Sequence, residues 1–182
     1  VVWKSKAPEG VSVVSVANPT GKLIENQIVK LGTGQVMSGG KNTPCVVKPY
    51  AEGTEVAQQL ETGDSGDGEI VFLVDKLEPR SAKFFRVEAS PGRKFIGWET
   101  VNLPYEYDNG RMSFRKNADT AVMLDEVSLD GIKLGKMEAL IHEKLPQDTW
   151  LPANKIVSVK GKQGPVQVTL EYQLELDSGK KI

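Results

Sequence analysis

The side chains with chemistry to offer are few. Cys45 is the single cysteine and His142 the single histidine in 182 residues. A thiol nucleophile needs a base held beside it, and Ile141-His142-Glu143 shows no triad spacing toward Cys45. One cysteine also excludes an internal disulfide and a cysteine-based zinc site. We therefore expect Cys45 to be a buried structural thiol. His142 offers an acid–base group or a metal ligand, but without a partner at a fixed offset it reads as a surface or hydrogen-bonded residue.

Two groups of carboxylates come next. Asp64, Asp67 and Glu69 are hard oxygen donors of the kind calcium takes. They lack the ligand order and glycine position of an EF-hand, so Gly63 to Gly68 reads as a solvated turn. Glu106 and Asp108 could serve glycoside hydrolysis if they faced each other across a sugar. Two apart on one strand they point the same way, which fits a cap on the Asn109-Gly110 turn. The aromatic residues Trp98, Tyr105, Tyr107 and Trp150 are the candidate carbohydrate-binding residues, because flat rings stack on sugar C–H faces. The core of a β-sandwich uses the same rings. No G-x-S-x-G elbow is present, and the glycines at Gly32, Gly34, Gly39 and Gly40 do not form a phosphate loop between strand and helix. The residues predict no catalytic group, no metal and no cofactor.

The formal net charge of −1 gives no reason to expect nucleic acid or an anionic membrane. No apolar run approaches the roughly 20 residues of a membrane span, and no signal peptide is visible. The chain opens on Val1, and Asp177-Ser178-Gly179-Lys180 is a turn signal with no return strand after it. The expectation is a piece of a larger polypeptide, cut or processed on both sides. The compartment is left open, with a secreted or cell-surface location favoured.

The elements that must position these residues are strands. Val11 to Val16 is an apolar strand ended by Asn18-Pro19-Thr20-Gly21. Lys22 to Leu31 and Cys45 to Val47 follow as strands, with a loop or hairpin from Gly32 to Pro44 between them. Glu69 to Val87, EIVFLVDKLEPRSAKFFRV, is the clearest stretch: strand, Pro79 turn, strand. It is expected to be the closing hairpin of a first β unit. Asp108-Asn109-Gly110 and Asp130-Gly131 are tight-turn signals. Lys136 to Leu145 fits helix and strand equally. Val166 to Leu176 alternates Val166, Val168, Leu170, Tyr172, Leu174 and Leu176 with polar residues, the pattern of a strand with one wet face. Many short strands with Gly/Pro turns predict an all-β fold of sandwich or barrel units. The change of composition at Ser90–Phe95 divides it into a small sandwich domain, 1–90, and a second sandwich unit, 91–182, truncated at its C-terminus.

Several stretches occur in a familiar order. A strand runs into Val16-Ala17-Asn18-Pro19. Gly53-x-x-Val56-x-x-Gln59, Glu69-Ile70-Val71-Phe72-Leu73-Val74, Leu77-x-Pro79 and Phe84-Phe85-Arg86-Val87 follow. Asn109-Gly110-Arg111-Met112 comes later, and then Gly164-Pro165-Val166-Gln167-Val168-Thr169-Leu170. This order resembles the β-rich region behind the catalytic domain of family 38 glycoside hydrolases, the alpha-mannosidases. There a small β domain opens with a strand ending in Asn-Pro and closes on strands joined by a Pro turn. It leads into a supersandwich resembling the galactose mutarotase fold, in which a Gly-Pro-Val strand start is common. The second unit here is similar to the start of that supersandwich, although the acidic Asp-x-x-x-Gly turn of the family is not evident. The family's catalytic aspartates and zinc ligands belong to an α/β domain outside this stretch, so no catalytic residue carries over.

The resemblance implies a non-catalytic, accessory β region of a hydrolase, with neighbouring domains of the same polypeptide as partners and carbohydrate as a possible ligand. The alternative is a self-contained carbohydrate-binding, adhesion or structural surface module.

Overall fold

The computed structural model describes residues 2–6, 10–51, 53–118, 120–138, 140–143, 149–152 and 155–175; side chains are described over the same ranges except 2–6, 140–143 and 149–152. The fold is all-β, built of small antiparallel sheets, with a single helical turn among the described residues. The chain divides into two compact units. One comprises Val1–Trp98 with Lys162–Val168, the other Glu99–Gly161 with Thr169–Ile182. Among the described residues no helix is long and apolar enough to cross a membrane.

The first unit is a β-sandwich. Its strands are β1 (Val2–Lys6), β2 (Val11–Asn18), β3 (Ile24–Gly32), β4 (Cys45–Pro49), β5 (Gln58–Thr62), β6 (Gly68–Leu77) and β7 (Ser81–Ala89). One sheet has the order β1-β2-β7-β4, the other β3-β6-β5. Alternation explains the core. Val14 and Val16 of β2, Val47 of β4, and Phe85 and Val87 of β7 project from the first sheet. They meet Val29 of β3, Leu60 of β5, and Ile70, Phe72 and Val74 of β6 from the second. Phe72 packs edge-on against Phe85 with ring centroids 5.3 Å apart.

The β6–β7 stretch is strand, turn, strand, but it is not a hairpin. β6 pairs with β3 and β5, and β7 with β2 and β4. The Pro79 turn instead carries the chain from one sheet to the other, with Arg80 at φ +52°. Asn18 holds this crossing beside a second one, from β2 to β3. Its side chain, only 1% exposed, donates from Nδ2 to the carbonyls of Lys22 (2.7 Å), Leu77 (3.1 Å) and Glu78 (3.1 Å). Its Oδ1 accepts from the Thr20 backbone N–H (3.0 Å) and hydroxyl (2.7 Å). Asn18→Ala takes the side-chain donor from the buried Leu77 carbonyl at one corner and the acceptor from Thr20 at the other, and is expected to cost about 2 kcal/mol. Urea unfolding of the variant checks this, and an unchanged midpoint would show that water replaces the amide without loss.

The stretch from Gly32 to Pro44 contains a helical turn, α1 (Thr33–Val36). It inserts Val36 and Met37 into the core, and the Ser12 hydroxyl donates to the Val36 carbonyl.

The second unit contains β8 (Glu99–Thr100), β9 (Tyr105–Asp108), β10 (Met112–Lys116), β11 (Leu124–Leu129), β12 (Ile132–Met137), β13 (Leu140–Glu143), β14 (Thr149–Pro152), β15 (Lys155–Gln163) and β16 (Val168–Glu175). The final residues of β15 and the first of β16 belong to the first unit. The sheets run β12-β11-β10-β9, β16-β15-β8 and β13-β14. Both predicted tight turns form. Asp130 and Gly131 take φ +48° and +79°, the two-residue loop that matches strand twist. The ambiguous segment from Lys136 resolves into strand, as the end of β12 and then β13. In β16 the alternation largely holds, with Leu174 buried and Glu171 and Gln173 exposed. Leu176 and the Asp177–Lys180 turn signal lie outside the described residues.

Candidate functional site

Glu106 and Asp108 lie on one face of β9, with Tyr105 and Tyr107 on the other. Cross-strand register then builds a polar surface. Glu106, Arg115 and Glu126 form one row, and Asp108, Ser113 and Ser128 the next. These residues line a cavity of ≈380 Å³. The charges of Glu106, Arg115 and Asp108 are already engaged. Arg115 Nε lies 3.3 Å from Glu106 Oε1, and Asp108 Oδ1 accepts the Gly110 N–H at 2.7 Å. Asp108 therefore caps the turn, and the two carboxylates share a side.

The aromatic candidates divide between the units. Tyr105 and Tyr107 pack on Phe114, with centroids 5.9 and 5.3 Å from it. Burial, and then the charge of Tyr107, push the Tyr105 hydroxyl above its ordinary pKa. Trp98 belongs to the first unit. It is half-buried, with the Lys162 ammonium 4.2 Å from its ring centroid. The side chains of Trp150 and His142 lie outside the described residues. Their backbones face each other in the β13–β14 pair.

The acidic loop closes as a turn. Gly63 N–H donates to the Asp67 carbonyl at 2.7 Å, and Lys41 pairs with Asp67 at 3.0 Å. Among the described residues no group of three His, Cys, Asp or Glu side chains is placed to hold a metal. Cys45 is 1% exposed, and burial pushes its thiol up to about 11. At pH 8 the native thiol is expected to resist Ellman's reagent and to react once urea unfolds the chain. Prompt reaction of the folded protein would place Cys45 at the surface.

Two polar clusters have no signature in the sequence. The first surrounds β5, whose Gln58, Gln59 and Glu61 are at most 7% exposed. Gln58 faces inward and closes the sandwich edge. Its Oε1 accepts the Val47 N–H (2.6 Å), and its Nε2 donates to the Val47 carbonyl (3.2 Å). Gln59 faces outward and receives the chain as it re-enters this unit. Its Oε1 accepts the backbone N–H groups of Val166 (2.8 Å) and Gln167 (3.0 Å). Glu61 accepts from both the Gln59 and Gln167 amides. Gly164 crosses here because a Cβ at that position would lie 2.4 Å from Gln59 Oε1. Lys162, 4% exposed, donates to the Thr62 carbonyl.

The second cluster is in the other unit, around Lys116, which is 1% exposed. Its ammonium donates to the carbonyls of Asn117 (2.6 Å) and Thr120 (3.0 Å) and to the Thr120 hydroxyl (2.8 Å). Asp125 lies 3.8 Å away and accepts the Asn117 N–H at 2.6 Å. Burial alone would raise the Asp125 carboxyl. The hydrogen bonds from Asn117 and Thr120, with the Lys116 charge, outweigh it and hold the group below the usual carboxylate range. Tyr172 donates to the Met123 carbonyl at 2.9 Å, and burial, with the Asp125 charge second, raises its hydroxyl to about 12.

Comparison with protein-family models, known proteins and solved structures found no match.

Proposed function

We propose that this chain is a non-catalytic β region of a larger carbohydrate-active enzyme, an alpha-mannosidase-like glycoside hydrolase, that supports a catalytic domain elsewhere in the polypeptide. The observation that carries this reading is how the buried polar side chains are used. Asn18, Gln58, Gln59 and Lys116 each bond to backbone of their own unit, fixing a corner, an edge or a loop. The order of the Asn18-Pro19, Leu77-x-Pro79 and Gly164-Pro165-Val166 segments gives the reading its enzyme family. The test is to read the coding sequence on both sides of residues 1–182. Hydrolysis of nitrophenyl glycosides is then compared for the complete polypeptide with and without this region. Loss of hydrolysis on deletion supports the reading. Unchanged hydrolysis, or flanking sequence without a catalytic domain, overturns it.

A self-contained carbohydrate-binding, adhesion or structural module is the second reading, supported by Trp98, an aromatic residue that is not fully buried. Binding of the isolated chain to a glycan array, weakened in Trp98→Ala or Trp150→Ala, would favour it. Silence on the array would count against it.

A further inference from the structure

The sequence holds one Asn-Gly dipeptide, Asn109-Gly110. It lies in the turn between β9 and β10, where Asp108, Asn109, Gly110 and Arg111 are all exposed. Three hydrogen bonds organise it. Asn109 Oδ1 accepts the backbone N–H groups of Arg111 (3.1 Å) and Met112 (2.7 Å), which folds the carboxamide forward over the Gly110 peptide. The Gly110 N–H donates to Asp108 Oδ1 at 2.7 Å. The Arg111 guanidinium is engaged elsewhere, with Asp130 at 3.0 and 3.1 Å. Gly110 has φ +83° and no side chain to screen its nitrogen.

We propose that this turn is a self-modifying site, at which Asn109 loses its amide as ammonia and becomes aspartate or isoaspartate. The Gly110 nitrogen is the nucleophile, and its bond to Asn109 Cγ closes a succinimide ring. Asp108 takes the Gly110 proton as that bond forms, the task of a general base already within hydrogen-bond reach. Negative charge develops on Asn109 Oδ1, and the two N–H groups directed at that atom stabilise it. The tetrahedral intermediate collapses by breaking the bond from Cγ to the amide nitrogen. That nitrogen takes the proton back from Asp108 and leaves as ammonia. Water then opens the succinimide at either carbonyl. No oxidant or reductant enters, and Asp108 ends as it began. Groups held in a reactive arrangement react faster than groups that must find it, so the folded turn promotes the reaction. Either product adds a carboxylate beside Asp108, and isoaspartate also adds a methylene to the main chain between β9 and β10. The inference is independent of the accessory-region reading, and either can fail without the other.

The test follows Asn109 by mass spectrometry in the 182-residue chain held at neutral pH. Samples taken over time are digested at mildly acidic pH, and tandem spectra locate the conversion of amide to acid. Exposed Asn42, followed by Thr43, serves as the internal reference. The folded chain is expected to convert Asn109 about tenfold faster, or more, than the same chain unfolded in guanidinium chloride. This comparison needs no variant. Asp108→Asn keeps an acceptor for the Gly110 N–H but removes the base. It is expected to slow the folded rate about tenfold or more and to leave the unfolded rate nearly unchanged. Circular dichroism checks that the variant keeps its strands. Three results would overturn the proposal. One is conversion in the folded chain no faster than in the unfolded one, which would mean that the turn protects Asn109. Another is an Asp108→Asn rate equal to the parent's in the folded state. The third is equal slowing by Asp108→Asn in both states, which would make Asp108 an effect of sequence and not of the fold.

Discussion

Phe72→Ala is expected to lower the stability of the first unit by about 3–5 kcal/mol. The ring is fully buried in the middle of β6. It meets Phe85 across the sandwich, so its removal takes away both transfer free energy and an aromatic contact. Collapse of the hole is limited, because Ile70 and Phe72 itself sit in ladders on both sides of β6 and Val74 is held by the β3 ladder. Phe72→Leu leaves a smaller void and is expected to cost less than half as much. Denaturant unfolding followed by fluorescence measures both. A loss below about 1 kcal/mol for the alanine variant would mean that the core relaxes around the site in a way the two-sided pairing argues against.

Lys116→Met is expected to cost the second unit about 3 kcal/mol, because it removes one member of a buried ionic cluster and leaves the others. Methionine keeps most of the volume, so the effect reports on the charge and its hydrogen bonds. The carbonyls of Asn117 and Thr120 lose their donor, and Asp125 loses its nearest cation. A pH signature separates this from simple repacking. The Asp125 carboxyl is held below its ordinary value in the folded state. Its stabilisation is therefore present above the unfolded pKa and is lost as pH falls through the folded one. Removing the Lys116 charge brings the folded value closer to the unfolded one. The loss of stability between neutral pH and acid should thus be smaller in Lys116→Met than in the parent. Equal pH dependence in the two proteins would show that Lys116 and Asp125 are not coupled. A double-mutant cycle with Asp125→Asn would then return an interaction energy near zero.

Both predictions concern residues that the sequence presents differently. Phe72 stands in an unbroken apolar run, and its burial follows from that run. Lys116 reads as an ordinary surface lysine, because nothing local says that the residues after it fold back over its ammonium. Gln58, Gln59 and Glu61 are a similar case. A strand reading QQLET looks solvated, yet both of its faces are covered. One faces the core, and the other faces the segment around Val166 and Gln167, more than 100 residues later. The aromatic candidates are equally underdetermined by type, which fits core and surface alike. Only packing separates Tyr105 and Tyr107, which rest on Phe114, from Tyr50 and Phe84, which stand in solvent.

What the sequence by itself determined was the local order: an all-β chain, the position of most strands, and the turns at Asn18-Pro19, Asn109-Gly110 and Asp130-Gly131. These follow from φ preferences and side-chain alternation, which act within a few residues. Only the tertiary structure decided which strands pair. Glu69 to Val87 keeps its two strands and its Pro79 turn, but the turn changes sheets. A pairing partner is chosen by which edges are free and which faces remain uncovered, and the β2–β7 and β3–β6 ladders join segments far apart in the chain. For the same reason Asn18, a turn residue by its sequence, becomes the buried group that holds two corners together.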